Sequence, residues 1–128
     1  DVTTGIENNS GVSGLESKNN IFSSVSSIIT DAGSGTVQSN NLCPSAGTGC
    51  SVTGSPSFVN PGTDFSLQSG STARDAGTDL SATLTTDYIG TSRPQNGTFD
   101  IGAYEYIVVA SSNGTFTRGG KGMNGRMR

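Results

Sequence analysis

The sequence predicts an all-β chain built as a solenoid, with short strands and turns stacked coil upon coil. Three observations carry that expectation. Only 30 % of the 128 residues are hydrophobic, against about 45–50 % in ordinary globular domains with Gly included, so a layered core would be thin. The charged fraction is low as well, 13 %, which is unlike a disordered chain. An Asn-Asn-apolar unit also recurs: Asn19-Asn20-Ile21 returns as Asn40-Asn41-Leu42 after 21 residues, a period of the size that marks repeat folds. A solenoid reconciles the three, since each coil needs few inward residues and its turns consume Gly, Asn and Ser.

Residues 1–18 carry isolated apolar residues, Ile6, Val12 and Leu15, between turn signals at Asn8-Asn9 and Ser10-Gly11. A strand-like run begins at Ile21-Phe22 and continues through Val25, Ile28 and Ile29. Its apolar spacing also fits a short helix, but four Ser among residues 22–28 and the β-branched content favour strands with a turn. Thr30 to Gly35 reads as a loop. Asn in both copies of the repeat tolerates a left-handed backbone, and stacked Asn side chains can hydrogen-bond from coil to coil.

Phe58-Val59 is closed by Asn60-Pro61-Gly62, a strong turn signal. Phe65 and Leu67 then alternate with polar neighbours, the period of a half-buried strand. Residues 78–98 form a long polar connection in which Leu80, Leu84, Tyr88 and Ile89 are expected to pack back over the coils. Phe99 to Val109 is the best strand candidate in the chain. Residues 110–128, nearly free of apolar side chains, are expected to be flexible.

Residues 1–117 hold ten acids and three bases, giving −7; residues 118–128 hold four bases, giving +4. An acidic body argues against nucleic acid as a partner, and no apolar run reaches the length of a membrane span. Cys43 and Cys50 are separated by a flexible, Gly-containing spacer that can close a local disulfide. There is no His, which excludes the usual nucleophile triads and most zinc sites.

Pro56, Phe58, Asn60, Pro61, Asp64, Phe65, Leu67, Gly70, Ser71, Ala73, Asp75, Ala76 and Gly77, then Arg93, Pro94 and the run Asp100 to Glu105, follow a pattern P-x-F-V-N-P … A-x-D-A-G … R-P-Q … D-I-G-A-Y-E. In this the stretch 55–106 resembles the C-terminal region of secreted bacterial right-handed parallel β-helix proteins. Thr72 and Arg74 depart from the pattern, which usually has Pro and an apolar residue there. The resemblance implies a right-handed parallel β-helix fragment with coils over 1–77, a capping segment and last strand over 78–109, and a basic tail over 110–128. It implies a secreted or cell-surface location, which suits the disulfide.

The chemistry stays open between several readings. Asp75 and Asp100 could hold a calcium ion, the sole cofactor considered, because hard cations take clustered oxygens; Asp75, Asp79, Asp87, Asp100 and Glu105 could equally serve turns and backbone capping. No Asp-x-Asp-x-Asp-Gly spacing occurs. Arg93 is expected to pair with Asp75 or Asp100, or to recognise a sugar carboxylate. Tyr104 and Tyr106, two apart and so on one face of a strand, could contact carbohydrate or simply pack. Lys18 matches no lyase motif and reads as a surface residue. The function expected is therefore structural: the capping part of a β-helix surface protein, associated with polysaccharide or self-assembling through an open end of the stack. The alternative is part of a polysaccharide lyase-like enzyme whose active site lies outside this chain. For the chain by itself, enzymatic activity is not expected.

Overall fold

The computed structural model describes residues 4–23, 25 and 27–109. Among these residues there is no helix, and eight short strands pair two by two. The chain is all-β.

β1 (Thr4–Asn8) runs parallel to β3 (Ser27–Asp31), with Thr4 opposite Ser27 and Ile6 opposite Ile29, an offset of 23 residues. β2 (Glu16–Lys18) runs parallel to β4 (Val37–Ser39) with Glu16 opposite Val37, an offset of 21. Parallel bridges join Ser13 to Ser34 and Ile21 to Leu42 at that same offset. Residues 4–21 are thus laid alongside residues 27–42 over most of their length. β3 includes Thr30 and Asp31, so the loop expected from Thr30 starts two residues later: Asn8 Nδ2 donates to Asp31 Oδ1 at 2.8 Å and carries the strand to the corner.

The Asn repeat accounts for the matched corners. Asn19 and Asn40 both lie in the left-handed region, at φ 55° and 49°, a conformation that a short amide side chain tolerates. The next residues stack: Asn41 Oδ1 accepts from the Asn20 N–H and from Asn20 Nδ2, both at 3.0 Å. Asn41 is fully buried, and its Nδ2 donates to the backbone carbonyls of Ser17 and Gly49.

β5 (Leu42–Cys43) and β6 (Val52–Thr53) also pair in parallel, but Leu42 faces Val52 after only ten residues. Parallel neighbours ordinarily need a dozen or more connecting residues. Here the tight excursion is closed by a disulfide between Cys43 and Cys50, whose Cα atoms are 5.8 Å apart.

β7 (Phe58–Asn60) and β8 (Asp64–Leu67) form an antiparallel hairpin, not the parallel coil expected up to residue 77. The turn is too short for any other pairing: the Thr63 N–H returns to the Asn60 carbonyl around Pro61 and Gly62, with Gly62 at φ 94°. Leu67 is buried, but Phe65 is 47 % exposed. At this point of the hairpin the edge of the Phe58 ring, with centroids 5.2 Å apart, is the aromatic contact available to it.

The core is small. Leu42, Leu67, Ala73 and Ile101 are buried together, with Ile21, Val52, Phe58, Ala76 and Tyr106 packed around them. Phe99 is 1 % exposed and contributes about 2–3 kcal/mol by its burial. Phe99 to Val109 is not a strand, contrary to its β-branched and aromatic content, because several of its N–H groups are taken by side-chain carboxylates instead of a neighbouring strand. Of the four apolar residues expected to fold residues 78–98 back, Leu84, Tyr88 and Ile89 are 40 %, 78 % and 66 % exposed. The segment is held by hydrogen bonds, as described below. The expected flexible tail, 110–128, lies outside the described residues.

Candidate functional site

The densest concentration of buried charge is a clamp of three carboxylates and one guanidinium between residues 75 and 106. Asp87, Asp100, Glu105 and Arg93 are 8 %, 1 %, 6 % and 8 % exposed. Each acid accepts backbone N–H groups that have no ladder to join. Asp87 Oδ1 accepts from the N–H groups of Ile89 and Thr91, wrapping the loop 87–91 around it, while Oδ2 accepts from the Glu105 N–H at 3.0 Å. Asp100 Oδ1 accepts from the Asp75 N–H at 2.7 Å and Oδ2 from the Tyr106 N–H. Glu105 Oε1 accepts from the Asp100 N–H at 3.0 Å and Oε2 from the Gln95 N–H at 3.1 Å.

Arg93 enters this cluster from the residue preceding Pro94, across a cis peptide bond. Its Nη2 donates to the Gly102 carbonyl at 2.8 Å, and its Nε stands 3.5 Å from Glu105 Oε1, an ion pair without hydrogen-bond geometry. The partner is therefore Glu105, not Asp75 or Asp100. Both oxygens of Asp100 are already engaged by backbone N–H groups, and the guanidinium reaches the carboxylate on its own side of the Gly102 turn.

Burial pushes the carboxyls of Asp100 and Glu105 above their ordinary values, and like charge adds to it, from Asp75 at Asp100 and from Asp100 at Glu105; the N–H donors and the arginines oppose this without overcoming it. Burial acts in the same direction on Asp87, but three backbone N–H donors outweigh it and hold that carboxyl below its usual range.

The clamp is tied to the parallel strands through the Asn repeat. The Asn19 side chain makes a two-way contact with Thr78, Nδ2 donating to its carbonyl and Oδ1 accepting its N–H. Asn40 Nδ2 donates to the Ala76 carbonyl, and Asn40 Oδ1 accepts from Thr78 Oγ1. Gly77 sits between, its N–H on the Phe99 carbonyl at 2.7 Å. A Cβ at this position would stand 2.7 Å from the same oxygen, so the close approach requires glycine. The Ile101 N–H bonds the Ala73 carbonyl, and the Gly102 N–H the Asn19 carbonyl. Residues 99–102 are laid onto the strands by these bonds.

The residues singled out from sequence fall as follows. Asp75 and Asp100 are brought together, but through the Asp75 backbone N–H; Asp75 itself is at φ 51° and its carboxylate is exposed near Arg74, at 4.0 Å. Among the described residues no three His, Cys, Asp or Glu side chains converge as a metal would need. Arg74 is half-buried, its guanidinium 4.0 Å from the centre of the Tyr106 ring, where it gains a cation–π contact. Thr72 Oγ1 donates to the Ser55 carbonyl at 2.7 Å. Tyr104 and Tyr106 do not share a strand face: Tyr106 lies under Arg74, and Tyr104 meets the exposed Tyr88 ring edge-on at 5.8 Å. Lys18 pairs with Glu16 at 2.9 Å. Cys43 and Cys50 are bonded to one another. Asp87 and Glu105 collect backbone N–H groups, the capping use that the sequence offered for them beside a calcium site. The signal for Glu105 was its place inside an apolar run, where an acid must be partnered if the run is buried.

A separate surface cavity of about 430 Å³ lies between Asn19-Asn20-Ile21, the Phe58 and Phe65 rings, and Gly102-Ala103. It carries no charged side chain.

No family model, no curated protein and no solved structure matches the chain. The site must be argued on its geometry. In that geometry carboxylates, as acceptors, satisfy the N–H groups of an irregular segment. No described helix is long and apolar enough to cross a membrane.

Proposed function

We propose that this chain is the closing segment of a secreted right-handed parallel β-helix surface protein, and that its role is structural: it ends a stack of coils and presents the outer surface. The observation that carries this reading is the parallel register of residues 4–21 on 27–42, at offsets of 21 to 23 residues, with a left-handed Asn at the matching corner of each turn. That is the spacing expected of successive coils. The carboxylate clamp then supplies what the last coil lacks, since the segment 99–106 covers the core without forming another rung. The disulfide suits an oxidising compartment.

The same reading includes self-association. Among the described residues, β1 and β2 pair on one side alone, and an open strand edge is a template for another chain. Carbohydrate contact, the remaining part of the proposal, falls to the surface pair Tyr88 and Tyr104, because Arg93 is buried and Tyr106 is covered. The test is the intact mass of the mature protein from its natural source. A mass well above 12.9 kDa is expected; a mature protein of 12.9 kDa contradicts the closing-segment reading.

A further inference from the structure

Asn96 and Gly97 lie in the loop that joins Arg93 to the buried Phe99. Both are exposed. Among the described residues neither the Asn96 amide nor the Gly97 N–H makes a hydrogen bond. Gly97 has φ 94°, and a Cβ placed there would meet nothing within 4 Å. It borders a cavity of about 290 Å³ with Asp79, Ser81, Pro94, Thr98 and Phe99, which leaves room for a ring to close and for water to enter. Asn8, Asn19, Asn20, Asn40 and Asn41 are in the opposite situation, and all donate amide hydrogen bonds.

We propose that Asn96-Gly97 is a site of spontaneous covalent modification, at which the Asn96 amide converts to isoaspartate and thereby loosens the carboxylate clamp. The Gly97 nitrogen attacks Asn96 Cγ. A C–N bond forms, the Cγ–Nδ2 bond breaks, and ammonia leaves with the proton from Gly97. Water then opens the five-membered imide. Attack at the side-chain carbonyl gives aspartate; attack at the main-chain carbonyl moves the peptide link onto the side chain and gives isoaspartate. One water is consumed and one ammonia released, with no oxidant or catalyst required. Glycine favours the attack because no side chain hinders its nitrogen.

The position gives the reaction a consequence. Gln95, one residue before, donates its N–H to Glu105 Oε2, and Phe99, three residues after, is buried in the fold. An isoaspartate inserts a methylene into this short span and adds a negative charge near two buried acids. The Gln95–Glu105 contact is the first that must give.

The test is incubation of the folded protein at mildly alkaline pH and 37 °C, followed by chymotryptic mapping of residues 1–22 and 89–99. The amide-to-acid mass change at Asn96 is expected roughly tenfold faster than at Asn9, which precedes Ser10 rather than Gly. The fraction converted at Asn96, separated by ion exchange and identified by that mapping, is expected to melt about 4 °C below fresh protein, while N96Q shows neither the mass change in 89–99 nor the drop. Conversion in denatured protein but not in folded protein overturns the site. Conversion without a change in melting overturns its link to the clamp.

Discussion

The two halves of the molecule solve one problem with opposite side chains. In residues 4–21 and 27–43 the backbone runs in parallel register, and its polar groups are met by the neighbouring strand and by Asn amides that donate and accept at once. In residues 73–106 the backbone is irregular, and orphaned N–H groups are met by carboxylates, which when ionised accept only. An amide can pass a hydrogen-bond pattern from one strand to the next, as Asn41 does for Asn20. A carboxylate cannot donate onward, so it suits a place where the pattern stops, as at Asp100. The choice between amide and acid therefore follows whether the backbone pairs with a parallel neighbour or runs irregularly.

The comparison is broken most severely at Asp100. Asp100→Ala leaves the part-buried N–H groups of Asp75 and Tyr106 without their acceptors and is expected to cost about 4 kcal/mol, from about 1–3 for each orphaned group, read from urea unfolding. A loss under 1 kcal/mol would mean that the clamp contributes little. In the other half, Asn41→Ala removes one acceptor and the donors to two carbonyls, with an expected cost of about 3 kcal/mol. Asn41→Asp sharpens the contrast: it keeps the acceptor but loses both donors, so it should be no better than alanine. Breaking the Cys43–Cys50 bond by double Ser substitution is expected to cost about 2.5 kcal/mol for so short a loop. It should free the β5–β6 pairing first, visible as faster amide exchange at Val52 and Gly54.

The smallest effect is on pH. Asp87 has a lowered folded pKa, so its contribution is present above the ordinary carboxylate value of 3.8 and is lost as pH falls through the folded value. Asp100 and Glu105 have raised folded values, so theirs is present below 3.8 and 4.5 and is lost as pH rises through the folded values. Melting temperature is expected to peak in mildly acidic buffer and to decline toward neutrality. A midpoint that rises steadily to pH 7 would contradict this.

Much of the first half was legible in the sequence. The repeat of Asn19-Asn20 at Asn40-Asn41 gave the register, because the left-handed corner and the stacked amide both demand that residue type. Cys43 with Cys50 and the turn at Pro61-Gly62 were equally local. The second half was less readable. Apolar alternation from Phe99 to Val109 looks like a strand whether its N–H groups meet another strand or an acid from a distant loop. Arg93 was visibly in need of a carboxylate, but several were near in sequence, and the fold alone decides that Glu105 is the one. The exposure of Tyr88 and Ile89 was hidden for the same reason: the loop is held by Asp87, not by its apolar residues.

Native-state hydrogen exchange tests the central claim most directly. The amides of Asp75, Glu105 and Tyr106 belong to no strand, yet each donates to a carboxylate that is itself buried. They are expected to exchange as slowly as those of Leu42 and Phe22 in the parallel pairing. Exchange at the rate of exposed loop amides such as Gly97 would show that the carboxylates do not hold residues 99–106, and the account of the clamp would fall.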